Sequence, residues 1–191
     1  MEEFEIKFLE VDVPELEKKL LAIGAEKVGE YFYQITLFDY PDLRMDAKHS
    51  WLKLRTDGKE TTLSYKERIG VRSPDASIPD DGMKEIEITV DDYQKTFELL
   101  KNVGFIIKRR DEKKRIRYQK DEAVFDIDFW PKLPPFLEIE SISIEKAKIA
   151  AHELGFDPEK GLVCSAGQIY KNYGFNLSEY SVLSFTGFVK K

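Results

Sequence analysis

The stretch EEFEIKF, residues 2–8, alternates from Glu3 onward between charged and apolar side chains. As a strand it sends Glu3, Glu5 and Lys7 to one side and Phe4, Ile6 and Phe8 to the other. Which side meets solvent decides the fold. A charged side facing bulk water belongs to an ordinary open sheet; a charged side turned inward requires a charged interior.

The same pattern recurs along the chain. In WLKLRTDGKETTLSYKER, residues 51–68, Leu52 and Leu54 share one face and Lys53 and Arg55 the other, Asp57-Gly58 is a turn signal, and Lys66 follows on the return strand. KEIEI places Glu85 and Glu87 opposite Ile86 and Ile88. KKRIRYQKDEAVFDIDFW, residues 113–130, predicts a hairpin with Lys113, Arg115 and Arg117 in register and Asp126 and Asp128 on the return. FLEIES adds Glu138 and Glu140.

For any single strand, the solvated face of an antiparallel sheet is the simpler reading, and paired charges also protect sheet edges. Taken together, the positions are almost uniformly ionisable and alternate between acidic and basic blocks. About eight antiparallel strands suffice to close a barrel, and the charged side becomes its interior if helices cover the outside. Burying an unpaired ion costs several kcal/mol, so such an interior must be hydrated, internally paired or built for ions of its own. Clusters of carboxylates suit Mg²⁺ or Mn²⁺, and clusters of Lys and Arg suit phosphoryl oxygens. The combination describes a polyphosphate with its metals.

Three segments share one plan, an E-x-E strand, a polar break and an apolar-periodic helix ending at glycine: they start at residues 2, 84 and 135 and stop at Gly24, Gly104 and Gly155. Asp12 is the expected N-cap of the first helix, with Glu15 completing a capping box and Leu16, Leu20 and Ile23 forming its buried stripe. Tyr93, Phe97, Leu100 and Val103 do so in the second, and Ala147, Ala150, Ala151 and Leu154 in the third. YFYQITLFDY reads as a further strand, and GVRSPDASIPDDG, residues 70–82, as a long loop. The end of the chain is expected to supply a helix and a tail whose Phe185, Phe188 and Val189 dock on something.

The composition excludes several classes. A net charge of -6 speaks against a nucleic-acid partner. No apolar run is long enough for a membrane helix and no signal peptide is evident, so the expected location is the cytoplasm. The single Cys164 reads as a small buried residue, and His49 and His152 lack zinc-site spacing.

EFEIK, Glu3 to Lys7, resembles the E-x-E-x-K signature of the CYTH superfamily, the triphosphate tunnel metalloenzymes, which includes class IV adenylyl cyclases, thiamine triphosphatases and inorganic triphosphatases. LKLR is similar to the family's L-R-L-R strand, with Lys53 in place of the first arginine, a change that keeps the charge and loses the bidentate fork. SYKER supplies Lys66, KEIEI the central E-x-E, KKR a basic strand, and DIDFWPKLPPFLEIE the late aspartate followed ten residues on by E-x-E.

The resemblance covers about residues 1–175 and implies an α+β fold, a closed eight-stranded antiparallel barrel with helices outside. Residues 176–191 would be a C-terminal tail docking on the barrel or on a second subunit of a homodimer, or the protein would be a monomer. It further implies that Lys7, Lys53, Arg55, Lys66, Lys113 and Arg115 bind a triphosphate such as ATP, thiamine triphosphate or tripolyphosphate. Glu3, Glu5, Asp128, Glu138 and Glu140 would hold Mg²⁺ or Mn²⁺, with Glu85 and Glu87 as further ligands, while Glu5, Arg55 and Lys66 carry the chemistry. Asp126 and Arg117 read as structural. Nothing specifies a purine pocket, because Tyr31, Phe32, Tyr33, Trp51 and Trp130 sit where core or rim aromatics sit. Hydrolysis of a triphosphate is therefore expected ahead of the alternatives, cyclisation of ATP to cyclic AMP and a non-catalytic polyphosphate-binding module.

Overall fold

The computed structural model describes residues 2–68 and 83–191, with the side chains of residues 2, 3 and 83 excepted. The loop expected at residues 70–82 lies outside the described residues.

The chain runs β1 (Glu2–Phe8), α1 (Val13–Ala22), β2 (Glu26–Asp39), β3 (Ser50–Thr56), β4 (Thr61–Arg68), β5 (Met83–Thr89), α2 (Tyr93–Asn102), β6 (Ile106–Lys120), β7 (Ala123–Phe129), β8 (Phe136–Ser141), α3 (Ile144–Glu153), α4 (Ala166–Asn172), β9 (Tyr180–Ser184) and β10 (Gly187–Lys190). Eight antiparallel strands curl round in the order β6-β2-β3-β4-β5-β1-β8-β7, and β7 pairs again with β6.

Seven of the joints in this curl are long ladders. The eighth, β1 with β5, is held only by Glu2 against Lys84 and Glu3 against Met83. Farther along β1, the backbone N–H and C=O of Lys7 both bond to Leu162, at 2.9 Å each. Gly161 makes that approach possible, since a Cβ there would stand 3.3 Å from both Ile6 and Phe8. Among the described residues, then, the fully closed barrel expected from the sequence is a curled eight-strand sheet with an open seam at β1–β5, because a later segment takes up part of the β1 edge.

Helices cover the outer, apolar side. Leu16 and Leu20 of α1 and Ala147, Ala150 and Ala151 of α3 pack on Ile6, Phe8, Phe125, Ile127, Leu137 and Ile139. The alanines of α3 allow that helix to lie close on the sheet. Phe97 and Leu100 of α2 pack on Phe38 and Leu54, and Phe136, Cys164 and Ile169 form a third cluster beside α4. Each fully buried side chain of this kind contributes roughly 1.5–3 kcal/mol of transfer free energy, so the outer face fixes which side of every strand looks inward.

The N-caps and glycine stops read from the sequence are realised, though Glu15 pairs with Lys19 instead of completing a capping box with Asp12. The side chains of Asp12, Asp92 and Ser143 accept bonds from backbone N–H groups in the first turns of α1, α2 and α3. Gly24, Gly104 and Gly155 take φ of 82°, 102° and 80°, the left-handed stop that favours glycine. Val103 is a correction: it falls at the C-cap of α2 and stays largely exposed instead of joining the buried stripe.

The end of the chain adds more than a helix and tail. After α4, which opens on a Ser165–Gln168 capping box, β9 pairs in parallel with β6 and β10 folds back on β9. Phe188 docks among Tyr170, Phe175 and Tyr180 as expected, whereas Val189 remains exposed. Among the described residues no helix is long and apolar enough to cross a membrane.

Candidate active site

With the leucines, isoleucines and phenylalanines committed to the outside, period 2 turns the ionisable residues inward. They line a cavity of about 880 Å³. Its walls bring together Glu5 and Lys7 of β1, Lys53 and Arg55 of β3, Lys66 of β4, Glu85 and Glu87 of β5, Lys113 and Arg115 of β6, Asp128 of β7, and Glu138 and Glu140 of β8. Every sequence-predicted site residue with a described side chain is thus in one place; the side chain of Glu3 lies outside the described set.

Acids and bases do not form the separate blocks that the sequence suggested. The ladders set Lys66 opposite Glu85, Lys7 opposite Glu138, Arg115 opposite Asp128 and Arg117 opposite Asp126. Cross-strand neighbours of opposite charge attract, and here they pair. Arg115 grips Asp128 through Nε and Nη2 at 2.6 and 2.7 Å, reaches Glu138 at 2.9 Å and touches Asp126. Lys113 donates to Asp128 Oδ2 at 2.9 Å, the oxygen that also accepts from Arg115 Nη2, and Arg117 binds Asp126 through two bonds of 2.7 Å. Asp126 and Asp128 are each 1% exposed, so these pairs are buried and their partners strongly interdependent.

The opposite wall is less balanced. Glu85 stands 2.8 Å from Lys66 and 3.7 Å from Lys53, and Glu87 lies 3.4 Å from Arg55. Burial, followed by repulsion from Lys66 and Arg55, lowers the Lys53 pKa to about 7. Lys113 is likewise lowered, by burial and then by Arg115. Lys7 goes the other way: burial opposes its charge, but Glu138 and Glu5 outweigh burial and raise its pKa. Burial disfavours the charged form of Glu138 too, yet Lys7, Arg115 and Lys113 hold its carboxyl well below the usual range.

A divalent ion needs oxygen donors not already spent. Among the described residues, no three acidic, histidine or cysteine side chains are grouped so as to hold a metal alone. Asp128 and Glu138 are engaged by Arg115, and Glu85 and Glu87 anchor the bases of β3 and β4. Glu5 holds Lys7 through Oε1 alone, and across the ladder it faces Glu140, a carboxylate of like charge. Burial and then the neighbouring Glu138, Glu5 and Asp126 carboxylates raise the Glu140 pKa, the signature of negative charge in excess of its compensation. Two carboxylates are enough for Mg²⁺, which characteristically completes its octahedron with water and substrate phosphate oxygens. Glu5 and Glu140 fit such an ion, while Glu85, Glu87, Asp128 and Glu138 pair with the bases; the side chain of Glu3 lies outside the described set.

Sequence reasoning missed the pair of half-buried Arg109 and buried Asp111, with bonds of 2.6 and 2.9 Å at the cavity wall. The signal was present, since both share parity with Lys113, Arg115 and Arg117 on β6. It also missed the contribution of the C-terminal segment: Ser165, Lys171 and Lys191 line the same cavity from elements remote in sequence.

Comparison with known proteins gives the following. The CYTH domain profile matches residues 1–157. The structure of PH1012 from Pyrococcus horikoshii is 23% identical and covers 85% of this chain and 96% of its own, with a TM-score of 0.67. A Vibrio parahaemolyticus protein provisionally designated an adenylate cyclase is 15% identical, covers 90% of this chain and 98% of its own, and has a TM-score of 0.74. HpAC1 from Hippeastrum, provisionally an adenylyl cyclase and described as revealing a dominant triphosphatase activity, is 16% identical, covers 93% of this chain and 99% of its own, and has a TM-score of 0.63. A search of curated protein sequences finds no match.

Proposed function

The chain belongs to the CYTH family, and from that premise we propose that it is a divalent-metal-dependent enzyme that hydrolyses a triphosphate held in the charged cavity. The observation that carries this reading is the convergence of Lys53, Arg55, Lys66, Lys113 and Arg115 on one cavity, where burial and then repulsion from Lys66 and Arg55 outweigh Glu85 and Glu87 and lower the Lys53 pKa to about 7. A bound triphosphate supplies that charge.

In this reading Lys53, Arg55 and Lys66 bind phosphoryl oxygens from the β3–β4 wall, and Lys7, Lys113 and Arg115 do so from the opposite wall. Glu85 and Glu87 keep the first group oriented, and Asp128 and Glu138 the second. Glu5 and Glu140 would hold Mg²⁺ or Mn²⁺, which when bound supplies Lewis-acid screening of phosphoryl charge. Water attacks the terminal phosphorus, its proton passes to the Glu5 carboxylate, and the P–O bond to the bridging oxygen breaks. As that bond breaks, Arg55 and Lys66 neutralise the charge gathering on the bridging oxygen of the departing diphosphate, and the terminal phosphoryl group is released as orthophosphate.

The test is an incubation of the pure protein with ATP, thiamine triphosphate and tripolyphosphate, with Mg²⁺ or Mn²⁺, at neutral and alkaline pH, with products identified. Orthophosphate supports hydrolysis. Cyclic AMP with pyrophosphate identifies the cyclase instead, and tight binding without turnover identifies a binding module.

A further inference from the structure

A second chamber, of about 320 Å³, adjoins the main cavity. The two share Arg55, Glu87 and Arg117 in their linings, so these side chains stand between them. We propose that this chamber is a binding site for orthophosphate, separate from the triphosphate site, through which the product of hydrolysis leaves; the assignment rests on the triphosphatase reading.

The chamber has the donors an oxyanion needs. Arg55 and Arg117 contribute guanidinium groups, and a guanidinium offers five N–H donors, of which carboxylate pairing uses only some. Arg117 spends two on Asp126, and Arg55 lies 3.4 and 3.5 Å from the Glu87 oxygens, long for a charged pair.

Thr62, the ladder partner of Arg55, lines the chamber and is 7% exposed, and its buried Oγ1 has no hydrogen-bond partner among the described residues. A buried hydroxyl left unpaired is costly, and an anion that accepts its proton removes that cost. Tyr31 and Tyr33 add phenol hydroxyls to the same lining. Their rings lie nearly parallel, 5.6 Å apart, and Tyr31 reclines over Gly29, where a Cβ would come within 3.0 Å of its hydroxyl oxygen.

Three carboxylates also line the chamber, and they set how firmly an anion is held. Glu87 is engaged with Arg55, and Asp57 accepts the backbone N–H groups of Lys59 and Glu60 at 2.8 Å each. Glu60, near Thr89 at the rim, opposes retention. Bases at the cavity side and acids around Asp57 and Glu60 favour entry from the cavity and weak, rapidly exchanging binding, as a departing product requires.

The experiment is calorimetric titration of inorganic phosphate into wild type and T62V, each first saturated with imidotriphosphate, which resists hydrolysis. The expected result is one equivalent of phosphate bound without displacement of imidotriphosphate. T62V should bind phosphate about tenfold more weakly, the loss expected for one hydrogen bond to a charged group, with imidotriphosphate affinity and melting temperature not reduced. Displacement of imidotriphosphate by phosphate, absence of phosphate binding, or equal phosphate affinity in T62V would each overturn the proposal. If imidotriphosphate itself fails to bind, the triphosphatase reading fails first, and the phosphate titration of the unliganded protein then decides the chamber separately by the same comparison.

Discussion

Replacing Lys53 with arginine probes how the cavity is charged when empty and when filled. Burial, then Lys66 and Arg55, lower the Lys53 pKa to about 7 from an ordinary 10.5, against the pull of Glu85 and Glu87. A triphosphate placed against this amine favours the charged form. If binding restores the ordinary value, the complex takes up about half a proton at neutrality and nearly one at about pH 8.5. Affinity then falls with rising pH, by about 30-fold from about pH 6 to about pH 8.5.

The fold alone responds in the opposite sense. Between these two pKa values the unfolded chain keeps a proton that the folded chain has released, so the Lys53 contribution to stability rises with pH. Calorimetry of imidotriphosphate binding in EDTA, repeated in buffers of different ionisation enthalpy, measures proton uptake directly. The guanidinium in K53R stays charged throughout, so the variant loses the Lys53 share of proton uptake and retains that of the ligand's own ionisation and of Lys113. Equal proton uptake and equal slopes in wild type and K53R would refute the reasoning.

Arg115→Met leaves Asp128, Asp126 and Glu138 facing one another with their main buried counter-ion gone; urea denaturation should show a loss of about 3–5 kcal/mol, partly restored by adding Asp128→Asn. Arg55→Ala and Glu5→Gln, at partly accessible positions of the cavity wall, should each abolish most triphosphatase activity in a steady-state phosphate-release assay while circular dichroism shows the fold unchanged; full activity in either removes that residue from the site. Leu20→Ala, at a fully buried position under α1, should cost about 2–5 kcal/mol by the same denaturation measurement without altering substrate affinity.

Much of this was legible in the sequence because two periodicities do separate work. Period 2 in EFEIKF, LKLR and DIDF assigned each strand an apolar and an ionisable side, and the glycine-terminated helices placed the apolar sides outward. The same arithmetic could not foresee ion pairing, because the partner of a residue depends on register between strands, as with Lys66 against Glu85 or Arg117 against Asp126. Nor could it foresee the β1–β5 seam, where Lys7 gives its backbone bonds to Leu162, far along the chain. The hairpin at residues 180–190 was overlooked although SVLSFTGFVK carries alternation and a Thr-Gly turn. E-x-E spacing specifies a shared face, while only cross-strand geometry shows that Asp128 and Glu138 pair with Arg115 and that Glu5 and Glu140 face each other.

The decisive measurement is a crystal structure of the protein with imidotriphosphate and Mn²⁺, using anomalous scattering to locate the metal. The account predicts three phosphoryl groups inside the curled sheet, hydrogen-bonded to Lys53, Arg55 and Lys66 on one wall and to Lys7, Lys113 or Arg115 on the other, with a manganese peak beside Glu5 and Glu140. Phosphoryl density confined to the outer surface, or manganese held away from those two carboxylates, would contradict it.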